Sequence, residues 1–240
     1  NKAFGAMCSE AHSAAARKIA GEGMVLLRNA NQTLPIELKE RPTILVVGEN
    51  AIKMMTVGGG SSSLKAKYEI SPLQGIQERA KGLAEVKYVR GYVGDIGGEY
   101  NGVTTGQSLQ DDRTPEQLTA EAIEAAKNAD YVIFVGGMNK AHNQDCEDGD
   151  RLHYELPYGQ DQLISALAAV NDKVIFVSIS GNAHGMPWSE EVGAILQAWY
   201  SGSETGHAVA DVLFGDVNPS GKLPYTIQPT LADYPAHQYG

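Results

Sequence analysis

Residues 43–48 read Thr-Ile-Leu-Val-Val-Gly, an unbroken apolar run rich in β-branched side chains. A strand buried on both faces inside a parallel sheet has this pattern. Tyr131–Gly136 (YVIFVG) and Val174–Ser180 (VIFVSIS) read the same way. Weaker strand signals lie at Val86–Val89, Ala194–Ala198 and Leu223–Ile227. Helix signals fill the gaps. Ser71-Pro72-Leu73-Gln74 has capping-box spacing with proline at the first helical position. Thr114-Pro115-Glu116-Gln117 repeats that arrangement ahead of an alanine-rich helix ending near Asn128. Gly159–Val170 and Glu204–Phe214 read as further helices, the second stopped by Gly215. Ser9 to about Leu27 reads as an opening helix. Strands alternating with helices predict one α/β domain over 1–240 with a mostly parallel sheet.

Composition narrows the possible functions. Hydrophobic residues make up 42% and charged residues 20%, which fits an ordinary globular chain and argues against disorder. No apolar run approaches the ~20 residues that a membrane helix needs, so no membrane partner is expected. The net charge of −10 argues against a nucleic-acid partner. Cys8 and Cys146 are too few for a disulfide scaffold and leave the compartment open. The chain starts at Asn1 without a signal peptide, so its true start is expected upstream. Gly94–Arg113 is polar, glycine-rich and without period, and reads as a surface excursion or a functional loop.

Three strand ends look alike: VVGEN at 46–50, VGGMN at 135–139 and SISGN at 178–182. Turn chemistry suffices for any one of them. Together they suggest a shared site rim, since ligands of open α/β sheets bind outside the carboxyl ends of strands. Gly58–Ser63 (GGGSSS), followed by Lys65 and Lys67, lies one connection beyond the first of these ends. It lacks the phosphate-loop and dinucleotide spacings, so a nucleotide site is not expected. It suits close approach of a polar, uncharged ligand, or a flexible linker.

Asn139–Arg151 (NKAHNQDCEDGDR) packs Asp145, Glu147, Asp148 and Asp150 into six positions. Like-charge crowding raises carboxyl pKa values, and a carboxyl kept protonated near neutrality can act as a general acid. The bland reading is a solvated acidic loop with Asp150 and Arg151 as an ion pair. His142, Cys146 and His153 are close, but their spacing fits neither a zinc pattern nor a calcium loop. In Gly181–Trp188 (GNAHGMPW), His184 is a base, a ligand or a hydrogen-bonded structural residue. Trp188 there is a sugar platform or core. No serine-hydrolase elbow is present. Gly202–Gly206 (GSETG) starts the last helix, with glycines for close packing and Glu204 at its positive end.

Taken in order, these segments resemble the second domain of glycoside hydrolase family 3 enzymes, of the β-glucosidase and β-xylosidase type. The resemblance is carried by Ala20–Asn29 (AGEGMVLLRN) with Leu34-Pro35-Ile36, and by Gly58–Ser63 with the Ser71–Ile76 helix start. It continues through Cys146–Arg151 with Leu156-Pro157 and Gln160, and through Met186-Pro187-Trp188. The stretch Ala198–Pro224 is its most specific part. It implies a three-layer α/β sandwich of about six strands with helices on both faces. It also implies part of a retaining exo-acting β-glycosidase, in which two carboxylates flank the sugar bond. The nucleophile would be an Asp on a preceding (β/α)8 barrel, for which 240 residues leave no room. The acid/base falls within Asp145–Asp148. Glu147 is the choice and Asp148 the runner-up, because Asp148 stands where many members have glycine. Gly59, Gly60, Ser61, Ser62, Ser63 and Lys65 would wall the site for a β-linked oligosaccharide or glycoside. No metal and no organic cofactor is implied. The chain alone would have little or no activity, and an upstream signal peptide would place it in the periplasm or outside the cell. The alternative is a non-catalytic carbohydrate- or protein-binding domain.

Overall fold

The three strong apolar runs lie side by side at the centre of one sheet. In the computed structural model they are β2 (Thr43–Val47), β6 (Tyr131–Gly137) and β7 (Val174–Ile179). Val46 stands opposite Ile133, and Ile133 opposite Ile175. Every residue of β6 and β7 is buried, as expected of strands covered on both faces. The structure describes residues 5–56, 61, 64–94, 99–100, 103–104, 107–141, 143–147, 149 and 151–236.

The remaining strands are β1 (Val25–Asn29), β3 (Glu85–Val89), the short antiparallel pair β4 (Glu99–Tyr100) and β5 (Val103–Thr104), and β8 (Ala194–Gln197). The main sheet runs β1-β8-β7-β6-β2-β3. Its strands pair in parallel except for β1, which is antiparallel to β8. Among the described residues five α-helices cover it: α1 (Glu10–Gly23), α2 (Pro72–Ala80), α3 (Pro115–Ala126), α4 (Gln160–Ala168) and α5 (Thr205–Leu213). Strand alternation sorts the core into two layers. Ile44, Val46, Ile133, Val135, Ile175 and Val177 pack with Ile76 of α2 and Val209 and Leu213 of α5, and Ala20 of α1 joins them. Leu45, Val47, Val132, Phe134 and Phe176 pack with Ala122 of α3 and Leu163, Ile164 and Leu167 of α4. The result is the three-layer sandwich. Each fully buried side chain of this size stabilises it by about 1.5–3 kcal/mol.

The helix starts follow the sequence closely. Thr114 and Gln117 form a reciprocal capping box. Ser71 caps α2 through the Gln74 N–H, but the Gln74 side chain turns instead to Glu78 at 2.8 Å. Two expectations fail. The opening helix stops at Gly23, not near Leu27, and Val25–Asn29 becomes the edge strand β1. Gly21 and Gly23 weaken the last turn, and the run that follows pairs with the open edge of β8. Leu223–Ile227 is not a strand. The chain just before it instead lies against the end of α1, where Ser220 N–H donates to Glu22 O and Gly221 N–H to Met24 O. Among the described residues no helix is long and apolar enough to cross a membrane.

Candidate active site

All three look-alike ends meet at the carboxyl edge of the parallel strands. β6 finishes at Gly137 with φ +109°, and a Cβ there would lie 2.4 Å from the carbonyl oxygen of Ile179 on β7. Only glycine allows that approach. Asn50, just past β2, donates from Nδ2 to Met138 O at 2.9 Å, tying the first end to the second. Asn139 shapes its own turn by accepting from Ala141 N–H at 2.7 Å. Turn chemistry and a shared rim are thus both present.

The acidic loop springs from this rim. Its Asp145 N–H donates to Asn139 O at 3.0 Å. The Asp145 carboxylate accepts from Gly181 N–H at 2.8 Å, Tyr200 Oη at 2.9 Å and Asn182 Nδ2 at 3.2 Å. Beyond it, an antiparallel bridge between Cys146 and Gly149 closes a tight turn, with Glu147 exposed within it. Ser61 N–H donates to Glu147 Oε2, so the glycine/serine loop and the acidic loop touch. Arg151, on the other limb, donates from Nη2 to Ala183 O at 2.5 Å. Gln144, Asp145, Cys146, Glu147, Arg151 and Asn182 line an open cleft of about 400 Å³.

The electrostatics of Glu147 run against the crowding argument. The Ser61 hydroxyl and then its N–H stabilise the charged form, and hold the carboxyl below the usual glutamate range. Of the other expected residues, Lys65 is exposed and is not among the residues lining the cleft. Gly59, Gly60, Ser62, Ser63 and Asp148 lie outside the described residues, as do His142 and Asp150. The proposed Asp150–Arg151 pair therefore cannot be placed. Among the described residues no three His, Cys, Asp or Glu side chains come together as a metal would need.

Two candidates take their structural readings. His184 is buried, with Nε2 3.0 Å from Ser178 Oγ and Nδ1 2.9 Å from Gly185 O. Burial pushes its pKa down to about 4, so it stays neutral in the core. Trp188 is fully buried against Phe176 and donates to Asp161 at 2.7 Å.

Sequence reasoning gave no role to three residues at this edge of the sheet. Glu49, directly after β2, is buried between Arg90 at 2.8 Å and Lys53 at 3.5 Å. Trp199 and Tyr200, directly after β8, line a second hollow of about 220 Å³ beside Met55, Leu64 and Lys140. Lys140 Nζ lies 4.5 Å from the Tyr200 ring centroid. Their signal was position: all three follow carboxyl ends of parallel strands, where site residues gather.

Comparison with known proteins gives a consistent picture. Residues 24–240 match the family model of the glycosyl hydrolase family 3 C-terminal domain. The whole chain is 46% identical over 250 residues to the β-glucosidase BoGH3A of Bacteroides ovatus, and covers 32% of that protein. The structure of a β-glucosidase from Erythrobacter marinus superposes with a TM-score of 0.79 at 34% identity, over 95% of this chain and 31% of that one. That of Kluyveromyces marxianus β-glucosidase shares the fold with a TM-score of 0.84 at 22% identity, over 95% of this chain and 44% of that one. The chain therefore spans about a third of the curated β-glucosidase it matches over its full length. A match across nearly every element of the sandwich places this chain in the glycosyl hydrolase family 3 C-terminal domain family.

Proposed function

We propose that this domain is the acid/base-bearing part of a retaining exo-acting β-glycosidase that hydrolyses β-glucosides or β-xylosides. Glu147 protonates the glycosidic oxygen as the bond to the leaving group breaks. As a carboxylate it then removes a proton from the water that attacks the glycosyl-enzyme. Asp148 is the second choice for this role. The nucleophile is an Asp of a (β/α)8 barrel that docks against the carboxyl edge. Ser61, with Gly59, Gly60, Ser62, Ser63 and Lys65, walls the side where the leaving sugar or aglycone sits. The observation that carries this reading is the placement of Glu147: exposed, in the tight turn of a pinned loop, and in contact with Ser61.

The low proton affinity of Glu147 in the chain alone favours a second reading, a domain that binds carbohydrate or another protein without catalysis. The catalytic reading answers it through docking. A partner that removes water from Glu147 disfavours its charge and raises its pKa. The deciding experiment is Glu147→Gln in the full-length enzyme. Loss of general acid help predicts a fall of roughly 10²–10⁴ in turnover of a substrate with a poor leaving group. Undiminished turnover of that substrate refutes the assignment.

A further inference from the structure

Asp145 ties together more of the rim than a turn residue needs to. Its N–H reaches Asn139 at the end of β6, and its carboxylate takes donors from the turn after β7 and from Tyr200 after β8. That turn is itself braced: Gln197 on β8 donates from Nε2 to Ser180 O at 2.8 Å, and Ser180 Oγ to Asn182 O at 2.6 Å. A carboxylate is well suited to the position, because it accepts from several donors and offers none of its own. A negative charge next to an acidic sequence also carries a repulsive cost that a neutral side chain would avoid.

We propose that Asp145 and Tyr200 are positioning residues that fix the aim of Glu147. The inference rests on the acid/base reading of Glu147. A single residue, Cys146, separates Asp145 from Glu147, and the Cys146–Gly149 bridge makes that connection stiff. Strain or slack at Asp145 is therefore passed to the tip. Tyr200 supplies a donor on a rigid ring, with Lys140 Nζ lying over that ring. Proton transfer tolerates little misplacement, since donor and acceptor must come within hydrogen-bond reach. Loosening the strut should thus slow protonation of the leaving group while leaving substrate binding unchanged.

The test uses the full-length enzyme, with Tyr200→Phe and Asp145→Asn beside Glu147→Gln. Each is assayed on an aryl glycoside with an activated leaving group and on a glycoside with a poor one. Comparing two substrates on the same folded protein removes any effect of yield or stability. Both strut variants should lose at least roughly tenfold more kcat/KM, which reports departure of the leaving group and not the later hydrolysis of the glycosyl-enzyme, on the poor substrate than on the activated one. Asp145→Asn should also move the basic limb of the pH profile to lower pH, because a negative charge favouring the protonated acid is gone. Equal losses on the two substrates, or no loss, overturn the proposal. If Glu147→Gln lacks the substrate dependence, the acid/base reading and the strut fall together. If Glu147→Gln shows it and the strut variants do not, the strut alone falls.

Discussion

At the scale of single residues, charge at Glu147 depends on what surrounds it. In the domain alone its carboxylate is exposed and accepts from Ser61, so the charged form is favoured. Carboxyl-carbon NMR of the chain should show Glu147 titrating below the ordinary glutamate range, and Ser61→Pro, which removes the N–H donor, should raise that pKa. An ordinary value in the unmodified chain would remove the Ser61 contact from the account. The sequence pointed to this residue through the acidic loop and its family likeness. It did not disclose the sign of the shift, because crowding counted along the chain ignores donors that arrive from 86 positions away. His184 and Trp188 illustrate the reverse. The sequence left a chemical and a structural reading open for each, and burial makes both structural.

Elements pack by fitting backbone to backbone and then fastening the joint. α2 and α5 approach so closely that a Cβ on Gly75 would lie 2.0 Å from Gly206 O. His207 of α5 closes this joint. Its Nδ1 lies 2.6 Å from Glu204 and its Nε2 2.8 Å from Glu78 of α2. With a carboxylate at each ring nitrogen, both must carry protons, so the ring is an imidazolium. Burial pulls its pKa down, but the bonds to Glu78 and Glu204 outweigh that and hold it above the ordinary histidine value. A raised folded pKa gives stability that is fully present below the unfolded value of about 6.5 and is lost as pH rises through the folded one. Urea unfolding midpoints should therefore fall as pH climbs from about 6.5 upward, and His207→Gln should flatten that slope. An unchanged slope in the variant would show that other groups carry it. The close helix start at Gly206 was readable from its glycines, as were the central strands from their unbroken apolar runs. The edge strand β1 was not, because Val25–Asn29 continues a helical pattern, and only the free edge of β8 decides otherwise.

For the whole molecule, the proposed function makes this site one half of a reaction centre, with the other half on a second body. Retaining hydrolysis needs two carboxyl groups about 5–5.5 Å apart across the sugar bond. Here Glu147 is exposed in an open cleft with Ser61 as its donor, while Asp145 two positions earlier is occupied by three donors. Leu64 and Leu152 stay exposed beside these loops, at 49% and 74%, which suits a surface that another body covers. The curated relative matched over the full chain is about three times as long. Covering this edge would supply the second carboxylate and remove the water that keeps Glu147 ionised. The purified 240-residue chain should accordingly release no nitrophenol from aryl β-glucosides or β-xylosides above the buffer rate. A docked (β/α)8 barrel carrying the proposed nucleophile should bring turnover, with a basic limb above the pKa of Glu147 in the chain alone. Hydrolysis by the chain alone, abolished by Glu147→Gln, would instead mean that the second carboxylate lies within this sequence.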